Sequence, residues 1–157
     1  MKLPIKRAFR GIDIVRPIAA AWIFREVLND ADPIDQMKEH FWAMGVSGND
    51  RIKWLELVSL GSLNQAIVQP RECYRRWILM HENGEDPGYI IFGHNHPSGV
   101  VEISQEDRNI SRHLARTSAL LEIPMLDHIV IGLPDDRAFA SIFEIMPELR
   151  DMVYRVT

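Results

Sequence analysis

The sequence predicts an α/β or α+β sandwich, a single domain with strands and helices mixed around one sheet. Three observations carry that reading. The run Tyr89-Ile90-Ile91-Phe92 is apolar without alternation, as a strand covered on both faces requires. The segment from Ser104 to about Leu121 places Ile110, Leu114, Ser118 and Leu121, with Ala115 beside them, on one helical stripe. Segments of both kinds follow one another along 157 residues, a length that makes about one domain and can bury roughly 68–70% of the unfolded surface.

The elements follow in order. Residues 17–29 (PIAAAWIFREVLN) read as a helix with Pro17 near its start, and Asn29-Asp30-Ala31-Asp32-Pro33 breaks it. Phe41 to Val46 and Ile52 to Val58 are rich in strand formers, and Ser47-Gly48-Asn49-Asp50 between them predicts a β-hairpin. Gln65 to Val68 reads as a short strand. Pro70 then opens a helix carrying Cys73, Tyr74, Trp77 and Ile78 at helical spacing. After the polar turn at 82–88 comes the Tyr89–Phe92 strand, running into the loop His94-Asn95-His96-Pro97-Ser98-Gly99. Ser104-x-x-Asp107 resembles a capping box at the start of the long helix, with Asp in place of Glu. Met125 to Leu133 reads as a second buried strand, Arg137 to Ala140 as a short one, and Ser141 to Tyr154 as a helix interrupted at Pro147. There is no internal repeat.

Composition narrows the function classes. Hydrophobic residues make up 46% and charged residues 25%, which excludes disorder and a fibrous architecture. No apolar run approaches the roughly 18–20 residues of a membrane span. The start, MKLPIKRAFRG, lacks the apolar stretch of a secretory signal, so a cytoplasmic location is expected. A single cysteine, Cys73, excludes an internal disulfide and reads as a buried apolar residue. Any zinc site must then use His and carboxylates. A net charge of −4 argues against a general nucleic-acid binder, although Lys2, Lys6, Arg7 and Arg10 make the start basic.

One constellation carries chemistry. His94 and His96 are two apart at a strand end, so both rings share a face and can reach one metal ion. Asp107, one turn into the next helix, can fold back over them. Three such ligands leave a position for water, as a catalytic zinc site requires. Ser104 sits at the helix N-terminus, where its hydroxyl reads either as an N-cap or as a donor to a developing oxyanion. A base must also take a proton from the water, a role Glu commonly fills. His128 reads as a fourth ligand or as a partner of one, the second being favoured. His40, His81 and His113 have no pattern around them and read as surface or structural residues.

These residues resemble the JAMM signature of the JAB/MPN metallopeptidases: a Glu upstream, then H-x-H, seven residues, then S-x-x-D. Within that superfamily the chain is similar to the bacterial RadC-like branch. The resemblance is carried by Glu39-His40-Phe41-Trp42, the segment 56–64 (ELVSLGSLN), Pro70-Arg71-Glu72, His94-Asn95-His96-Pro97-Ser98-Gly99 and the segment 126–132 (LDHIVIG). It implies a mixed sheet flanked by helices in a cytidine-deaminase-like sandwich. A helical segment at 1–34 would pack on a JAB/MPN domain at 35–157. It also implies one zinc ion held by His94, His96 and Asp107, with Ser104 steadying the tetrahedral intermediate and Glu39 as general base. Glu56, in the partner strand of the hairpin, is the rival base. The usual Gly-Asp-Pro-x-Pro stretch is replaced here by Val100-Val101-Glu102-Ile103 after Gly99, which makes the loop beside the site more apolar.

The leading expectation is a zinc-dependent isopeptidase or peptidase. It would cleave an amide bond after the tail of a ubiquitin-like protein, within a bacterial conjugation pathway. The alternatives are a DNA-repair-associated protein or metal-dependent nuclease, and a non-catalytic MPN interaction module.

Overall fold

A five-stranded sheet in the order β2-β1-β3-β4-β5 organises the computed structural model, which describes residues 1–14, 16–61, 68–133 and 137–154. The strands are β1 (Glu39–Val46), β2 (Ile52–Gly61), β3 (Tyr89–Asn95), β4 (Met125–Ile131) and β5 (Phe139–Ser141). The helices are α1 (Pro17–Asn29), α2 (Pro33–Gln36), α3 (Pro70–Cys73), α4 (Arg75–Glu82), α5 (Gln105–Leu121), α6 (Ile142–Ile145) and α7 (Pro147–Tyr154). Only β3 and β4 run parallel, as the α5 crossover between them demands. The other neighbours are antiparallel, so the sheet is mixed. No helix of the described residues is long and apolar enough to cross a membrane.

Strand alternation sends side chains to two cores. Trp42, Met44, Leu55, Ile91, Ile129 and Ile131 meet Ala20, Ile23, Phe24 and Leu28 of α1 on one face. Phe41, Ala43, Trp54, Phe92 and Val130 meet Ile110 and Leu114 of α5 and Leu149 of α7 on the other. The strands are therefore covered on both sides, which is why β3 carries an unbroken apolar run.

The hairpin forms where expected, and the left-handed residue of its turn is Asp50 (φ 61°). Asp is among the few residues that take this conformation at modest cost. The break after α1 is held by Gln36, whose amide donates to the Asn29 and Ala31 carbonyls at 3.1 and 2.9 Å. Of the short strand expected at Gln65 to Val68, residues 65–67 lie outside the described residues, and Val68 is buried.

Two expected helix faces are corrected. The helix opened by Pro70 divides into α3 and α4 at Tyr74. Tyr74 is fully buried, and its hydroxyl donates to the Leu114 carbonyl of α5 at 2.9 Å. Ile78 is exposed, although Cys73 and Tyr74 are buried. Burial also pushes the Cys73 thiol far up, so it is an inert apolar residue. On α5, Leu121 is exposed and Ser111 is buried instead. Replacing Tyr74 with Phe should remove the bond to Leu114 and lower unfolding stability by about 1 kcal/mol in a denaturant titration. An unchanged midpoint would show that this bond does not hold the α3–α4 corner.

Candidate metal centre

The C-terminal end of β3 and the first turn of α5 meet on the α5 face of the sheet. His94 is the penultimate residue of β3. The backbone N–H of His96 donates to the Ile131 carbonyl at 2.9 Å, so the strand's alternation continues one residue further. Both rings therefore face the same way. After His96 the chain turns sharply, with Gly99 at φ 82°. A Cβ on Gly132 would stand 2.7 Å from the Gly99 carbonyl oxygen, so only glycine lets these backbones pass so closely.

Ser104 caps α5 through a complete capping box. Its hydroxyl accepts from the Asp107 N–H at 3.0 Å, and the Asp107 carboxylate accepts from the Ser104 N–H at 2.6 Å. The same carboxylate oxygen, Oδ2, takes the Ser104 hydroxyl proton at 2.7 Å. Asp107 is thus clamped in one orientation, with its charge favoured by the positive helix end. Asp107 Oδ1 lies 3.0 Å from His94 Nε2, Oδ2 lies 3.3 Å from His96 Nε2, and the two ring nitrogens are 3.0 Å apart. His94, His96 and Asp107 are brought together as a group able to hold a metal ion.

The donor chemistry fits such an ion. His96 Nδ1 donates to the Val100 carbonyl at 2.6 Å, which leaves Nε2 of a neutral ring as a lone pair. That lone pair faces a carboxylate and a second imidazole nitrogen, an arrangement that a cation relieves. Ligand atoms about 2.0–2.1 Å from a tetrahedral zinc ion lie roughly 3.3 Å from one another, close to the spacings here. Without a cation, the hydrogen bond to Asp107 raises the proton affinity of His96, against a smaller effect of burial. Burial works to raise the Asp107 carboxyl, but bonds from His94 and His96 outweigh it and hold the group far below the usual carboxylate range.

The two candidate bases stand differently. Phe41 of β1 pairs with His94, and continuing that register sets Glu39 across from His96 on the same face. Glu39 is half-buried, and its charge contributes to the raised proton affinity of His96. Glu56 pairs with Ala43, further from the ligands, and Arg76 grips both its carboxylate oxygens at 3.0 and 3.1 Å.

Two further residues, Asn95 and Ser111, shape the site without a sequence motif of their own. Asn95, between the two histidines, is buried. Its side chain accepts from the His40 N–H at 2.7 Å and donates to the Lys38 carbonyl at 3.0 Å. It thereby extends the β1–β3 contact past the Phe41–His94 pair and fixes the backbone on both sides of Glu39. Its only sequence signal was a polar residue at the end of an apolar strand. Ser111 gave none. Of the other histidines, His128 is buried beside His94, and His40 is buried against Trp42. His81 stacks on Trp77 at the surface, and His113 is exposed.

The family profile of the RadC-like JAB domain matches residues 15–144. The chain belongs to the RadC-like JAB domain family. It is 40% identical over 98 residues to a UPF0758 protein of Pelodictyon phaeoclathratiforme, covering 62% of this chain and 42% of that one. A UPF0758 protein of Clostridium acetobutylicum is 37% identical over 126 residues, 80% of this chain and 51% of the relative. One from Trichlorobacter lovleyi is 42% identical over 110 residues, 70% of this chain and 44% of the relative. The chain spans about half the length of the curated relatives it matches. In this RadC-like JAB domain, the profile covers β1 through β5 and so contains every candidate site residue.

Proposed function

We propose that this RadC-like JAB domain is a metal-dependent amide hydrolase. Its substrate would be a peptide or isopeptide bond after the C-terminal tail of a ubiquitin-like protein. The observation that carries the reading is the convergence of His94 Nε2, His96 Nε2 and the Asp107 carboxylate, with Glu39 on the same face. The resemblance to JAMM peptidases supports the substrate class. A zinc ion held by these three residues would supply a more acidic water and a Lewis acid for the scissile carbonyl. Two imidazoles and a carboxylate suit several divalent metals, zinc among them.

The chain's own residues do the rest. Glu39 takes a proton from the attacking water and returns it to the leaving amine nitrogen. Asp107 keeps its charge and orientation through the capping box. The Ser104 hydroxyl, whose proton rests on Asp107 in this structure, turns to donate to the tetrahedral oxyanion. Exposed Val100 and Leu133 give the substrate tail an apolar rim.

The test is to incubate the zinc-supplemented protein with a panel of ubiquitin-like fusions and read cleavage by mass. A cut directly after the ubiquitin-like tail is expected. Intact fusions across the panel, with zinc bound, would overturn the substrate assignment. Ser104→Ala should lower kcat about 10²-fold and cost about 1 kcal/mol of stability from the lost cap. A lowered melting temperature with unchanged kcat would leave Ser104 as a cap alone.

A further inference from the structure

A row of buried polar groups, none of them used in the hydrolytic reading, runs behind His94. The Ser111 hydroxyl lies 2.6 Å from the Asp107 backbone carbonyl, an atom that can only accept, so the hydroxyl proton is spent there. The same Ser111 oxygen lies 2.7 Å from His128 Nδ1. With its proton committed, that oxygen accepts, and His128 Nδ1 must carry the hydrogen. His128 is fully buried, packed edge-on against Phe41, in surroundings that favour an uncharged ring. Its Nε2 is then bare. That nitrogen lies 2.8 Å from His94 Nδ1, which must therefore be the donor. With Nδ1 committed as the donor to His128, Nε2 is the His94 nitrogen left to serve the site, 3.0 Å from both Asp107 Oδ1 and His96 Nε2.

We infer that Ser111 and His128 form a proton-ordering relay that holds His94 in its Nδ1–H tautomer and aims Nε2 as a metal ligand. The relay rests on the metal reading of the site. It starts at the backbone of one ligand, Asp107, and ends at the ring of another, His94, so α5, β4 and β3 are locked by one closed circuit. His128 is a positioning residue. Its Nε2 is occupied by His94, so it is not a fourth ligand. Partners of this kind typically carry a 10–100-fold effect on metal affinity.

The experiment measures zinc affinity by chelator competition for the wild-type protein, His128→Phe, His128→Gln and Ser111→Ala. Imidazole nitrogen–proton correlation spectra of the metal-free proteins report the His94 tautomer. His128→Phe keeps a ring but removes the acceptor, so zinc affinity should fall 10–100-fold and His94 should lose its fixed Nδ1–H signal. His128→Gln, whose amide oxygen can still accept from His94, should recover most of the affinity. Ser111→Ala frees the His128 tautomer and should weaken zinc binding several-fold. If the wild type binds zinc and all three variants match it, the relay is overturned and the metal reading stands. If the wild type binds no zinc, the metal reading fails, and the spectrum of His94 still decides the relay. A wild-type His94 that carries no hydrogen at Nδ1 overturns it directly, even where His128→Phe does not fold.

Discussion

Glu39→Gln should lower amide hydrolysis by about 10²–10⁴-fold and leave the bound metal untouched. The amide keeps the size and hydrogen-bonding reach of the carboxylate but cannot accept and return a proton. Glu39 lies two residues before Phe41, the partner of His94, on the same face of β1, and Asn95 fixes the backbone at Lys38 and His40 on either side of it. Because Glu39 is not one of the clustered donors, metal content and activity should separate in this variant. Glu56→Gln should behave differently. It would break the paired contact with Arg76 and affect stability more than rate. Wild-type turnover by Glu39→Gln would remove Glu39 as the base. Loss of turnover in Glu56→Gln with metal and fold intact would move that role across the hairpin.

Gly45→Ala should cost about 3 kcal/mol and lower the melting temperature by roughly 10 °C. Gly45 pairs with Trp54 across the β1–β2 hairpin, and a Cβ there would fall inside the Trp54 indole. That indole is 2% exposed, and its Nε1 donates to the Pro87 carbonyl at 3.1 Å, just before β3 begins. Displacing it would open the core under α5 and release the entry to the strand that carries His94. Glycine at this position is set by packing, since its backbone takes no left-handed angle. A thermal scan in which Gly45→Ala melts within 2 °C of the wild type would contradict this packing.

What could be read ahead of the structure was local. The Tyr89–Phe92 run, the Ser104–Asp107 box and the H-x-H pair each declare themselves within a few residues. Together they place three candidate ligands at a strand end and a helix start. The corrections all involve distant partners. Tyr74 divides α3 from α4 because its hydroxyl reaches a carbonyl 40 residues away. Leu121 and Ser111 lie on the same helix, and hydropathy favours burying Leu121. The structure buries Ser111 because Asp107 and His128 satisfy its hydroxyl. Asn95 is likewise understood only once β1 lies beside β3. Helical and strand periods report which faces are apolar, but not which polar groups find partners.

The most direct measurement is zinc stoichiometry by elemental analysis on the wild-type protein and His94→Ala, both purified without chelator. The account predicts about one zinc per wild-type chain and a loss of that zinc in the variant. An absence of metal from the wild type after zinc is supplied, or equal zinc in both proteins, would contradict it.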